Sequence, residues 1–506
     1  MSSEDSNIIR ASISVSLING VSLLLGFFSQ MLIAYYFGTS VALDGFLIAY
    51  AMPSVFMGIG GAVFSSCLVP ALTAFKEDRE SLSVSISNTL VLAATAAVVV
   101  SVAGGLSSGI ALRASTDMSG VNMGQTESLA VIMWAAAGVS IFAGFLSTIY
   151  QLKKRFMIPS LVWLMPTTGM MLGVIFLSDY FGIMGMALGF LGFSVLSVLF
   201  LMMGGIKNDI RPRLITIRGV RQGLNAFSSI MPVGLSLLPF TILPAIDAYW
   251  ASRLPEGSMS YLGYSTRLAL ALGNLVLNGI YMVILPYLSE DFNRNDDERF
   301  LSRLTGSIKA VLLFFIPAVF FIVLNRIEIV GFLFKRGAFT EASVEGVAAV
   351  LPFYMFGLLA MGPTTLVSRA YFARHEPWRF GVIGAIFIVF YAAASGLLAG
   401  AFSYKGIGIA YLMYWGMFFI AGAALLEKRI LDQGMIKAMA LYALISIASI
   451  GIAHAGAYGA LGLRSFAGLA TSGALSLMLF CLLSYLLRVR IFMSILKFSA
   501  INNGEF

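Results

Sequence analysis

The chain has 506 residues, of which 59% are hydrophobic and 11% charged, where a soluble protein has about a quarter charged. That excludes a soluble enzyme or a disordered chain and puts most residues in lipid. There, backbone groups find no water, and only helices of roughly 20 apolar residues or closed barrels can span. The apolar runs are long and unbroken rather than alternating. The sequence therefore predicts an all-α polytopic membrane protein, and its net charge of +8 reads as a signal of membrane orientation, with no nucleic-acid partner.

In chain order, the apolar runs predict spans near 13–37, 45–72, 88–110, 129–150, 159–177, 183–203, 224–250, 262–288, 308–324, 344–371, 380–398, 407–426, 435–453 and 465–487. Fourteen transmembrane helices result. The first run is preceded by Glu4 and Asp5 and exceeds the roughly 7–15 apolar residues of a signal peptide, so it is expected to stay as a helix. Cys67 and Cys481 lie inside apolar runs and read as free thiols packed as small hydrophobes.

With a cytoplasmic N-terminus, only Arg113, Arg253, Lys335, Arg336, Lys405 and Arg464 of the 32 basic residues fall outside. Arg267 and Arg326 lie within or at the end of spans, and the rest are inside. This bias predicts an orientation with both termini cytoplasmic.

The helix end Leu68-Val69-Pro70-Ala71-Leu72-Thr73 is echoed by Ile284-Leu285-Pro286-Tyr287-Leu288-Ser289, and each precedes a charged loop. The echo reads as a repeat of six helices related by an axis along the membrane normal. It divides the chain into an N-lobe (1–216), a C-lobe (217–430), two further helices (431–490) and a cytoplasmic tail (491–506). Two lobes with substrate at their interface suit alternating access.

Charge within a span is costly, so intramembrane ionisable residues are functional candidates. Asp44 opens helix 2 and reads either as a helix N-cap or as a gating or ion-coupling group. Asp247, toward the outer end of helix 7, is either interfacial or a cavity group with the same role. Arg267, in helix 8, reads as a cavity contact for an anion or as half of an ion pair. Pro232, Pro239 and Pro244 predict a bent helix 7. His375 and His454 lie too far apart to form a metal pair. Neither a phosphate-binding loop nor a catalytic triad order is present, so no cofactor and no enzymatic activity are expected. Energy must come from the membrane potential, an H+ or Na+ gradient, or substrate supply.

Phe37-Gly38-Thr39-Ser40, followed by Asp44-Gly45-Phe46, Ala49 and Pro53, resembles the start of the MurJ/MviN family. Tyr264-Ser265-Thr266-Arg267-Leu268 with Leu285-Pro286 is similar to that family's helix 8. Leu333-Phe334-Lys335-Arg336-Gly337-Ala338-Phe339-Thr340 is similar to its loop between helices 9 and 10. The resemblance implies two six-helix lobes of the multidrug/oligosaccharidyl-lipid/polysaccharide exporter superfamily, with two extra helices forming a lipid-tail groove. It also implies transport of an undecaprenyl-pyrophosphate-linked saccharide, with a glycan polymerase or synthase as partner.

Under that resemblance Arg267 keeps a cavity arginine, whose guanidinium suits a pyrophosphate. Ser29, Gln30, Tyr264 and Asn278 are the other expected head-group contacts, and Arg336 and Gly337 mark the family loop. Leu23, Ser29 and Met57 stand where further family arginines are expected. The sequence therefore favours a relative that handles an exopolysaccharide, capsule or other cell-wall unit, with lipid II flipping and cation-coupled multidrug export as alternatives. A membrane glycan polymerase is disfavoured, because the longest outer loop, about 113–128, is short and poor in catalytic candidates.

Overall fold

The computed structural model describes residues 3–63, 79–115, 123–153, 155, 157–203, 230–460, 466–489 and 491–493. Every regular element among these residues is helical. The helices are α1 (Ser3–Phe37), α2 (Val41–Val63), α3 (Arg79–Ser115), α4 (Met123–Leu152), α5 (Met157–Phe181), α6 (Ile183–Met203), α7 (Ile230–Thr241) and α8 (Leu243–Ala251). They continue with α9 (Ser258–Asn293), α10 (Asp297–Leu324), α11 (Arg326–Phe334), α12 (Glu341–Ala373), α13 (Pro377–Phe402), α14 (Tyr404–Leu426), α15 (Gln433–Ala460) and α16 (Phe466–Leu486).

Among the described residues, thirteen helical stretches are long and apolar enough to cross a membrane. A fourteenth is α9, bent by 51° between Ser258–Leu277 and Gly279–Asn293. The expected span count is met. The predicted bend in helix 7 falls between α7 and α8: Pro244 sits in the first turn of α8 and brings no N–H to bond backward. One element was not foreseen. The short helix α11 carries Arg326 and Glu328 in its first turn and never builds a full apolar run.

The chain forms two compact units, Met1–Tyr261 with Arg336–Ser343, and Leu262–Lys335 with Val344–Phe506. The boundary expected at 216/217 and the Leu68–Thr73 half of the sequence repeat lie outside the described residues.

In the first unit α4 is the central helix, packing on α2, α3 and α6, while α5 pairs with α6. That pairing is close because Gly169 and Gly173 of α5 face Gly185 and Gly189 of α6 backbone to backbone, leaving no room for a Cβ at these positions. Small residues four apart are the usual device for close helix approach where lipid supplies no hydrophobic drive. The Tyr150 hydroxyl, buried among Phe145, Ile149 and Val162, donates to the Leu201 carbonyl at 2.6 Å.

In the second unit α13 packs on α14, and α15 packs on both α10 and α16. Asp296 caps α10 by accepting from Arg299 N at 3.0 Å, with Asp297 and Glu298 in its positive first turn. The Tyr371 hydroxyl donates to the Gly422 carbonyl at 3.0 Å. Tyr150–Leu201 and Tyr371–Gly422 each join residues 51 apart, so the same tyrosine-to-helix bond recurs once per unit.

Candidate functional site

In the first unit, three turns with glycines at positive φ meet around Asp44. The first closes α1: Gly38, at φ +55, donates its N–H to the Ala34 carbonyl at 2.9 Å, a left-handed helix stop. Ser40 then caps α2 through a 3.4 Å contact from Leu43 N to its Oγ. Because Ser40 holds that position, Asp44 is released from capping its own helix.

The Asp44 carboxylate, only 6% exposed, instead accepts from Gly257 N at 2.6 Å, Ser260 N at 2.7 Å and Ser260 Oγ at 2.5 Å. It caps the first turn of α9, where orphan N–H groups and the helix dipole both favour an anion. Of the two sequence readings, the capping one is realised on a different helix from the one expected. Gly257, at φ +83, completes the turn, with Thr39 O and the Tyr261 ring lying where a Cβ would go.

The third turn is the family-motif loop. Gly337, at φ +58, packs on Tyr35, and Ala338 N donates to the Tyr35 carbonyl at 2.8 Å. A Cβ on Gly38 would in turn strike the Ala338 carbonyl. Thr39 Oγ1 and Ser343 Oγ share a hydrogen bond at 2.8 Å. Thr340 and Ser343 exchange backbone N–H bonds to each other's hydroxyls at 3.3 Å, a reciprocal cap at the start of α12. Arg336 is exposed, and its carbonyl accepts from Phe339 N at 3.1 Å.

The other expected site residues are divided between the two units. Ser29 is fully buried in α1 with a hydroxyl that finds no partner, and Gln30 beside it is half-buried. Asp247 is buried in α8. Tyr264 and Arg267 belong to the second unit: the Tyr264 ring lies 5.1 Å from Phe334, and Arg267 is half-buried in α9. Asn278 falls at the bend of α9, and its side chain lies outside the described residues. Sequence reasoning missed Tyr35, Gly257 and Ser260. Ser260 carried a signal, for it lies 216 residues after Asp44, the spacing of the internal repeat.

The second unit also holds a groove of about 180 Å³ among α10, α15 and α16, walled by Phe314, Pro317, Phe321, Ile450, Leu477 and Phe480. Its serines do not make it polar. Ser446, Ser449 and Ser476 donate to their own helices at Tyr442 O, Ile445 O and Ser472 O, at 2.6, 2.7 and 2.7 Å. Cys481 also lines it as a free thiol, while Cys67 lies outside the described residues. His454 bonds Asn325 Oδ1 through Nε2 at 2.8 Å and stacks on Phe321 with planes 10° apart. It thereby ties α15 to the end of α10.

Comparison with known proteins places this architecture. The family described as "Lipid II flippase MurJ" matches residues 33–489. A "Probable lipid II flippase MurJ" of Treponema pallidum is 22% identical over 421 residues, 79% of this chain and 78% of the relative. A protein of the same description from Buchnera aphidicola is 27% identical over 371 residues, 70% of each chain. Among solved structures, "Lipid II flippase MurJ, inward closed conformation" is similar with a TM-score of 0.80 at 20% identity, over 94% of this chain and 99% of that one. An inward-facing MATE family multidrug transporter of the MOP superfamily matches at a TM-score of 0.69 and 16% identity, over 84% of this chain and 99% of that one. These structural likenesses concern the fold.

Proposed function

Because the chain belongs to the MurJ family of lipid II flippases, we propose that it carries lipid II across the bacterial inner membrane for peptidoglycan synthesis. The observation that carries this reading is the family match over residues 33–489, nearly the whole chain. The expectation of an exopolysaccharide or capsule substrate loses ground to it, since the relatives above bear the lipid II description. That expectation rested on missing arginines. Two of the positions concerned, Ser29 and Met57, are buried in the first unit at 0% and 9% exposure, so side chains there meet protein rather than substrate.

In this reading, transport is by alternating access, with both termini cytoplasmic. Arg267 contacts the pyrophosphate, and the groove among α10, α15 and α16 takes the polyprenyl tail, which it suits by its apolar walls and inward-bonded serines. Asp44 serves as a gate. While it caps Gly257 and Ser260 the turns stay closed, and opening must give those N–H groups to water, losing charge-assisted hydrogen bonds worth about 1.5–3 kcal/mol each. Asp247, a buried carboxylate in a span, is the second candidate for coupling to the membrane potential, H+ or Na+. A peptidoglycan polymerase or synthase is the natural consumer of the product.

Native mass spectrometry of the purified protein with lipid II, and with other undecaprenyl-pyrophosphate saccharides, tests the assignment. Lipid II should be retained in preference to them, and Arg267→Ala should weaken it. Preferential retention of another saccharide would favour the exopolysaccharide or capsule substrate instead.

A further inference from the structure

Arg369 lies in α12, one turn before the end of the apolar span Glu341–Ala373. Its guanidinium carbon sits 3.4 Å over the ring of Tyr281 in α9 and 5.6 Å from the ring of Phe372. Its Nε is shielded from solvent and has no acceptor, and among the described residues no carboxylate pairs with it. Four other arginines of the unit have acceptors, although the Nε of Arg374, like that of Arg369, has none. Arg303 has Asp291 at 3.0 Å, Arg379 has Glu376 at 2.9 Å, Arg429 has Glu298 at 2.8 Å, and Arg374 donates to the Leu426 carbonyl at 3.2 Å. A shielded guanidinium N–H without an acceptor near the end of a span is costly unless it meets a ligand or a polar cavity.

We propose that Arg369, anchored over the Tyr281 ring, is a second binding residue for the phosphate groups of the transported lipid, an inference that rests on the flippase reading above. The ring contact anchors the guanidinium carbon and leaves the N–H donors free to bond other groups. An edge of parallel N–H groups is the geometry that grips two oxygens of a phosphate or pyrophosphate. An arginine reaching for ordinary phospholipid at the interface would extend its head into water. Arg369 is half-buried with its Nε enclosed, so it is set for a ligand that enters the protein.

The test is retention of lipid II, undecaprenyl phosphate and phosphatidylglycerol by the full-length protein in native mass spectrometry, for wild type, Arg369→Gln, Arg369→Lys and Tyr281→Leu. The wild type should hold lipid II. Arg369→Gln should weaken it about tenfold or more, the loss of a charged hydrogen bond, with phosphatidylglycerol unchanged. Arg369→Lys should fall between, and Tyr281→Leu should weaken lipid II severalfold by removing the platform. Should Arg369→Gln not fold, the Lys and Leu variants decide alone. Lipid II retention equal to wild type in folded variants overturns this inference and leaves the flippase reading standing. Equal loss of phosphatidylglycerol overturns it too, making Arg369 an interfacial lipid anchor. If the wild type itself holds no lipid II, the flippase reading falls first.

Discussion

Asp44 and Ser260, 216 residues apart, are joined twice: Asp44 Oδ1 accepts the Ser260 backbone N–H at 2.7 Å and its hydroxyl at 2.5 Å, while Oδ2 takes Gly257 N at 2.6 Å. A buried carboxylate with three donors is costly to remove, because the donors it leaves are inside the protein and unsatisfied. Asp44→Ala should lower stability by about 1–3 kcal/mol. Asp44→Asn, which keeps one acceptor oxygen, should lose less. Thermal unfolding in detergent reads the order, and an Asp44→Ala protein as stable as wild type would remove the cap from the account.

Gly38 and Gly337 are bound to glycine twice over, by positive φ and by a carbonyl where the Cβ would lie. Either residue changed to Ala should cost about 1–2 kcal/mol from the left-handed backbone alone, with the clash adding to it. Gly105→Ala, in open space within α3, is the control and should be neutral or stabilising by up to about 1 kcal/mol. Melting temperatures of the three variants check the contrast.

Much of the fold was legible, because a lipid-spanning helix announces itself by length and hydropathy alone. The helix 7 break followed from Pro244, whose missing N–H acts locally. What stayed hidden depends on distance in sequence. Asp44 looked like the cap of the helix it opens, since nothing near it names Gly257 or Ser260. The family-motif loop was recognisable as a pattern, but the reason for Gly337 lies at Tyr35, in a different turn. The short helix α11 escaped because charges interrupt its apolar run.

The groove makes a prediction about the lipid tail. In a Cys67→Ser background, Cys481 is the single thiol and lines the apolar wall. A polyprenyl lipid should slow its reaction with a maleimide, and Leu477→Trp, which fills the groove, should abolish that protection and impair transport while the protein still folds. Labelling indifferent to the lipid would move the tail elsewhere.

The most direct test of the central claim is replacement of the resident lipid II flippase in a bacterial strain depleted of its own. The account predicts that this chain sustains growth and lipid II export, and that Arg267→Ala, inserted at the same level, does not. A wild-type chain that inserts normally yet leaves lipid II on the inner leaflet would contradict it.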